Sequence, residues 1–350
     1  MLSNTISKSL RSVVSRSTVV RSMATVPPPR LFDYQQVTSN LKPCIEMVDA
    51  IENCFGKLAK DEVDVPIPMH IGIDETSVAG PGDCHIKGGY ISGTRTWTVK
   101  LANVSFYKNL ERGLSPGSGI FVVCDADLGC PLGIFQENRY MTDLRTGAAG
   151  AVSVKHFGSS PKHKAVGFIG AGAIAMSMAL SSHVVHQFEH GYVYGLDPKM
   201  SEDFAKDIKE KLGYDVTVCN SAEECVKASD VLFTQTPGAE PVLELSWLKP
   251  HATIIASGSD QPTKNEIPSE VQKASKMITD LTRQCVRVGE LRTAVKEGIM
   301  TESDVHAEIG EVVNGTKSGR EGDELILVDL TGTGAQDAAI GQVAWDLLTK

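Results

Sequence analysis

Residues 164–182 read KAVGFIGAGAIAMSMALSS, and residues 192–197 read YVYGLD. The unbroken apolar run at 165–169 is what a strand buried on both faces requires. Gly170-Ala171-Gly172-Ala173-Ile174-Ala175 follows with the spacing G-x-G-x-x-A, and a helix-compatible run comes next. Gly170 permits a tight strand-to-helix turn, and Gly172 lets a pyrophosphate approach the backbone. Ala175 is small enough for the helix to pack closely on the strand. The helix start supplies free N–H groups and the positive end of its dipole. The second apolar run ends at Asp197, where a carboxylate accepts bonds from ribose hydroxyls. A glycine turn alone is weak evidence; strand, turn, helix, strand and terminal acid together predict a dinucleotide site.

The alternation continues downstream. Residues 201–212 and 221–228 read as helices, and 215–219, 231–234, 253–256 and 277–281 as strands. This order predicts an α/β fold built on a doubly wound parallel sheet. Further helices are expected at 288–297 and 303–315, a strand at 325–329 and a closing helix at 336–348. These last elements have no evident place in the nucleotide sheet and are expected to return to the first domain.

Upstream, residues 38–60 carry an apolar stripe at helical spacing. Short β-like runs at 70–73, 90–91, 97–101 and 120–123 predict an antiparallel sheet or small barrel. A helix capped by Thr142 or Asp143 runs to His156, and its small residues predict a close helix contact. The expected division is a leader at 1–30, a substrate and dimerisation domain at 31–150 plus 318–350, and a nucleotide domain at 151–317.

The leader stands apart. No acid precedes Asp33, five basic residues lie among seven serines, and Leu2, Ile6, Leu10 and Val13 fall at helical spacing. That is the pattern of an organelle transit peptide, which implies the mitochondrial matrix or a plastid, while a start at Met23 would leave a cytosolic form. A net charge of −9 argues against nucleic acid as a main partner. No apolar run is long enough to span a bilayer. The eight cysteines are scattered without a C-x-x-C pair or a zinc-type grouping with histidine, so neither disulfides nor a metal are expected.

Several blocks recur in a specific order: Thr98-Val99-Lys100, Leu144-Arg145-Thr146-Gly147-Ala148-Ala149-Gly150, Gly170-Ala171-Gly172, and Gly258-Ser259-Asp260-Gln261-Pro262-Thr263-Lys264-Asn265-Glu266. Ile309-Gly310-Glu311-Val312 and Asp329-Leu330-Thr331-Gly332 follow. In these blocks, across residues 31–350, the chain resembles the ornithine cyclodeaminase/mu-crystallin family. The resemblance implies a homodimer. Each subunit would join a Rossmann-type NAD(P) domain to an α+β substrate and dimerisation domain made by the N-terminal part and the C-terminal segment.

It also implies chemistry at the α-carbon of an amino acid or its imine, with hydride passing to or from a nicotinamide. Arg145, taken to lie in the first turn of its helix, and Lys100 match the residues that grip the substrate carboxylate; Lys87 is a further candidate on the neighbouring strand. Asp260 matches the aspartate that holds the amine and handles its protons. Where family cyclodeaminases carry an arginine this chain has His70, which is largely neutral near pH 7. Thr234, Thr236 and Pro237 are expected on the nicotinamide-ribose side, and Ser257, Gly258 and Ser259 on the ring side. Asp197 favours NAD over NADP, with Lys199 close enough to leave room for NADP. Glu290 and Glu311 read as helix or domain-contact residues.

Three functions follow as expectations. The first is an ornithine cyclodeaminase that converts L-ornithine to L-proline and ammonia through hydride transfer to and from bound NAD. The second is an NAD(P)H-dependent imine reductase or amino-acid dehydrogenase. The third is a non-catalytic NAD(P)-dependent binding protein.

Overall fold

The computed structural model describes residues 25–350, so the amphipathic segment read at Leu2 to Val13 lies outside the described residues. The first layer comprises β1 (Arg30–Phe32), α1 (Tyr34–Asn40), α2 (Ile45–Leu58), β2 (Val63–Asp64), β3 (Met69–Ile73) and β4 (Gly82–Ile91). It continues through β5 (Thr96–Val104), β6 (Ser118–Asp125), β7 (Pro131–Gln136) and α3 (Tyr140–Ser153). The single helix expected at 38–60 is two helices. Pro43 lacks an N–H and biases Lys42 away from helical backbone, so α1 stops before it. Asp33 and Gln36 close a capping box at the start of α1.

The strands of this layer form an open sheet in the order β1-β7-β6-β5-β4-β2, with β3 also paired to β4. All its pairings are antiparallel except β1 with β7. Of the two expected forms, the sheet is the one adopted.

The second layer holds β8 (Ala165–Ile169), α4 (Ala173–Val185), β9 (His190–Tyr194), α5 (Pro198–Leu212), β10 (Val216–Val218), α6 (Ala222–Ala228) and β11 (Val231–Thr234). Then come β12 (Thr253–Ala256), α7 (Ser269–Ala274), β13 (Lys276–Thr279), α8 (Thr282–Val288), α9 (Leu291–Lys296), β14 (Ala307–Glu308) and α10 (Ile309–Val313). The chain finishes with β15 (Ile326–Asp329) and α11 (Gly334–Leu348). Eight parallel strands order as β10-β9-β8-β11-β12-β15-β13-β14, which is the doubly wound sheet expected. β8, β11, β12 and β15 have every residue buried apart from Ala165 at the start of β8, as strands covered by helices on both faces must.

One expectation about the C-terminal segment needs correction. The strand read at 325–329 forms, but it pairs with β12 and β13 inside the nucleotide sheet. Its sequence, Ile-Leu-Val-Asp, is wholly apolar until the last residue, which suits a central parallel strand. α10 does return to the first layer, packing on α2 with Asn314 Nδ2 donating to Gly56 O at 2.7 Å, and α11 crosses back to the first sheet. There the backbones nearly touch: a Cβ on Gly334 would stand 2.0 Å from the carbonyl oxygen of Gly88.

The helix expected at 288–297 breaks at Gly289 into α8 and α9, and the one at 303–315 shortens to α10. The small residues of α3 do serve a close helix contact. A Cβ on Gly147 would lie 2.4 Å from the Ser177 carbonyl oxygen of α4. The helix carrying Arg145 is therefore locked to the helix that starts at the glycine turn.

Candidate active site

Parallel strands β8 and β11 are hydrogen-bonded neighbours, yet the chain leaves β8 for β9 on its other side, so a crevice opens at their carboxyl ends. Gly170 sits there with φ +99, in the left-handed region that glycine favours. Gly172 caps α4, and no atom lies within 4 Å of the position its Cβ would take. The helix N-terminus thus faces open space, while Ala175 is fully buried against the strand. A cavity of about 980 Å³ runs from this turn past Asp197 to Thr236, Pro237 and Trp247. Its length, its unshielded N–H groups and its terminal acid fit a dinucleotide.

Asp197 has a structural duty as well. Its Oδ1 accepts from the backbone N–H groups of Lys199 (2.9 Å) and Met200 (3.4 Å), capping α5 and leaving Oδ2 for a ligand. The Lys199 ammonium pairs with Asp203, one turn further along α5.

Residues 234–259 divide. Thr236 and Pro237 line the cavity. Thr234 is fully buried, and its hydroxyl donates to Glu266 Oε2 at 2.8 Å, so it lies one layer behind the groove. Glu266 also accepts from the N–H groups of Thr236 (2.5 Å) and Gly258 (3.0 Å), and so ties together the loops leaving β11 and β12. The Ser257 hydroxyl donates to Thr234 O at 3.3 Å, and that of Ser259 to Lys264 O at 3.0 Å and Val288 O at 3.1 Å. Glu290 receives the N–H groups of Glu266 and Ile267 at 2.9 and 3.0 Å, a contact within the nucleotide domain and not between domains.

The charged cluster expected on the substrate side is built by strand register. Lys87 on β4 is paired directly with Lys100 on β5, so both side chains leave the same face of the sheet. Lys100 lies mid-strand and not near a strand end. Two residues from Lys87, on that face again, is His85, paired with His70 on β3; their rings stand 4.1 Å apart. α11 and α3 supply the groups above. Lys100 Nζ donates to Asp337 Oδ1 at 2.8 Å, with both side chains buried. Arg145 is in the second turn of α3, because the helix starts at Tyr140, earlier than expected. Its Nε is 3.5 Å from Asp337 Oδ1, and its Nη1 donates to Gln336 Oε1 at 3.3 Å.

Lys87 Nζ donates to the Gly332 carbonyl at 3.1 Å. Arg145 borders the same turn, since a Cβ on Gly332 would meet Arg145 Nη1 at 2.3 Å. Asp260, half-buried, pairs with Lys264 at 2.8 Å.

The charges are tuned by this crowding. Burial, then Lys100 and Arg145, push the Lys87 ammonium down to about 8 despite Asp260 and Asp337. Burial also lowers Lys100, opposed by its partner Asp337. His85 is pushed down to about 4 by burial, His70 and Lys87, so its imidazole is neutral at pH 7. Burial opposes ionisation of Asp260, but Lys264, Lys87 and His85 outweigh it and hold the carboxyl below its usual range. Asp337 is likewise held low, by Lys100 and Arg145.

The result is a cluster in which Lys87, Lys100 and Arg145 surround one buried counter-ion, Asp337, with the Asp260–Lys264 pair as a further feature. It has spare donors for an anionic ligand: among the described residues Arg145 makes its hydrogen bond through Nη1, with Nε turned to Asp337, and Lys87 uses one donor of three. Asp337, Gln336, His85 and Glu266 were not singled out from the sequence. An acid within the small, apolar run Gly-Ala-Gln-Asp-Ala-Ala-Ile was a readable signal for Asp337, since a buried acid needs a cation.

The model of the ornithine cyclodeaminase/mu-crystallin family matches residues 31–349. The alanine dehydrogenase of Archaeoglobus fulgidus is 31% identical over 314 residues, covering 89% of this chain and 93% of the relative. Among solved structures, the Thermococcus litoralis Δ1-pyrroline-2-carboxylate reductase in complex with NADH and L-proline superposes with a TM-score of 0.84 at 26% identity. That match covers 91% of this chain and 97% of the other. An archaeal alanine dehydrogenase dimer with bound NAD gives 0.83 at 29% identity, covering 91% and 95%.

Proposed function

The chain belongs to the ornithine cyclodeaminase/mu-crystallin family, and from this we propose that it is an NAD(H)-dependent enzyme reducing a small imino acid to the amino acid. Bound NADH supplies a hydride from its dihydronicotinamide. The chain's residues do the rest. Gly170 to Ala175 receive the pyrophosphate and Asp197 the adenosine ribose, where its charge repels the 2′-phosphate of NADP. Lys100 and Arg145 grip the α-carboxylate, and the ionised Asp260 faces the nitrogen as it gains positive charge.

The observation that carries the reductive reading is Lys87. It stands buried opposite Lys100, and among the described residues its ammonium bonds the Gly332 carbonyl and makes no salt bridge. A diamino acid such as ornithine would bring a second ammonium into a pocket that already holds three cations. An imino acid with an uncharged side chain avoids that repulsion. The reductase and dehydrogenase relatives support the same choice. Ornithine cyclodeamination is the second reading, favoured by Asp260, whose carboxylate also suits an amine. By analogy with the archaeal dimer we extend the proposal to a homodimer. The mitochondrial matrix is proposed on the leader's composition alone.

Purified enzyme offered Δ1-pyrroline-2-carboxylate, and separately pyruvate with ammonia, should oxidise NADH. L-ornithine with sub-stoichiometric NAD⁺ should release little ammonia. Ammonia and proline from ornithine, without NADH consumption, would move the assignment to the cyclodeaminase. Binding of cofactor with no turnover would leave a binding protein.

The groove carries its own prediction. Gly172→Val should weaken NADH binding about tenfold or more by filling the space needed for the pyrophosphate. Its midpoint of thermal unfolding should stay close to wild type, because none of the described residues lies within 4 Å of the added Cβ. Fluorescence titration with NADH, beside a melting curve, separates the two effects.

A further inference from the structure

Reduction of an imine needs a proton for the nitrogen as well as a hydride for the carbon, and the groups around the pocket differ in whether they hold one to give. The ionised Asp260 has none near neutral pH. His85 is neutral there, and its Nε2 lacks a partner. Lys100 is ion-paired to Asp337 at 2.8 Å, which favours its charged form and opposes proton release. Arginine does not release its proton, which excludes Arg145. Asp143, pushed up to about 6, is two residues from Arg145, hence on the opposite side of α3, and pairs with Arg139. Lys87 is left. Its ammonium is buried and points from the same sheet face as the carboxylate clamp. Its one acceptor is the Gly332 carbonyl, and that same turn borders Arg145.

Resting on the reductive reading above, we propose that Lys87 is the proton donor to the imine nitrogen. As the carbon receives hydride, the C=N π pair moves to nitrogen, an N–H bond forms there, and one N–H bond of the Lys87 ammonium breaks. Imine, NADH and one proton thus become amine and NAD⁺, and neutral Lys87 regains its proton from water. The Gly332 carbonyl holds Nζ during this exchange. Asp280 fixes that turn by accepting the N–H groups of Thr331 (2.9 Å) and Gly332 (2.8 Å).

The charged and titratable groups facing Lys87 set its readiness: Lys100 of β5 and Arg145 of α3 favour proton release. Asp337 of α11 and Asp260, after β12, oppose it, and His85 and His70 are close on β4 and β3. The sign follows directly. The ammonium is the active form, so kcat/KM should be level below about pH 8 and fall as pH rises through it.

The test is the pH profile of NADH-dependent Δ1-pyrroline-2-carboxylate reduction by wild type, Lys87→Gln, Lys87→Arg and Lys87→Ala. Substrate ionisation is common to all four, so differences between profiles belong to the protein. Lys87→Gln should lose about 10²–10⁴-fold in kcat and lack the limb near pH 8. Lys87→Arg keeps the charge but is too weak an acid, so it should be nearly as slow. Added methylammonium should restore part of the rate of Lys87→Ala and none of the rate of wild type. Quenching of NADH fluorescence by L-proline should persist in Lys87→Arg, which shows the pocket intact. A Lys87→Arg enzyme near wild-type rate, or a Lys87→Gln enzyme keeping the limb, overturns the assignment while leaving the reductase standing. A wild type that reduces no imine overturns both.

Discussion

Arg145→Ala is expected to lower kcat/KM for the imino acid by about 10²–10³-fold while NADH binding is unchanged. The guanidinium is anchored on one side by Asp337 and Gln336, which leaves donors directed elsewhere. A carboxylate placed against them accepts two charge-assisted bonds, and truncation removes both together. The dinucleotide groove is untouched, because Arg145 reaches it only through the packing of α3 on α4, and alanine preserves that helix. Equal loss of substrate use and cofactor binding would count against the clamp. Steady-state kinetics beside NADH titration decides it.

Asp337→Ala should be the most destabilising single change at the site, at about 3–5 kcal/mol. Its carboxylate has no solvent exposure and compensates both Lys100 and Arg145. Removing it strands a fully buried lysine ammonium beside a guanidinium. The wild-type carboxyl is held below its ordinary range, so its stabilisation is present above the unfolded pKa and is lost as pH falls through the folded one. The acid decline in stability should therefore be shallower in the variant. Denaturant unfolding at pH 7, and across a series from about pH 4 down to about pH 2, measures both effects, and a loss below about 1 kcal/mol at pH 7 would mean that the pair is not buried in solution.

Much of the nucleotide half was legible because its signals are local. Gly170, Gly172, Ala175 and Asp197 fall within one strand-turn-helix-strand unit, and each does a job set by backbone geometry. The place of β15 was not legible. Its four residues suit any buried parallel strand, and only the later pairing with β12 and β13 shows where it belongs.

The substrate half depends on register, which spacing along the chain does not reveal. Lys87 and Lys100 were candidates as separate residues, but their burial and their opposition across β4 and β5 together lower Lys87. His85 drew no notice because nothing in Cys84-His85-Ile86 marks it until His70 is brought opposite. Glu266 was visible inside a recognised block, yet its duty arises from two loops meeting over one carboxylate. Thr234 was expected at the cofactor and is spent on Glu266 instead.

The central claim is net reduction, and stoichiometry tests it most directly. Enzyme, NADH and Δ1-pyrroline-2-carboxylate are mixed, and NADH oxidised is compared with proline formed. The account predicts one NADH consumed for each proline, with little ammonia released from L-ornithine when NAD⁺ replaces NADH. Repeated release of ammonia and proline from ornithine, with the NAD pool unchanged at the end, would contradict it.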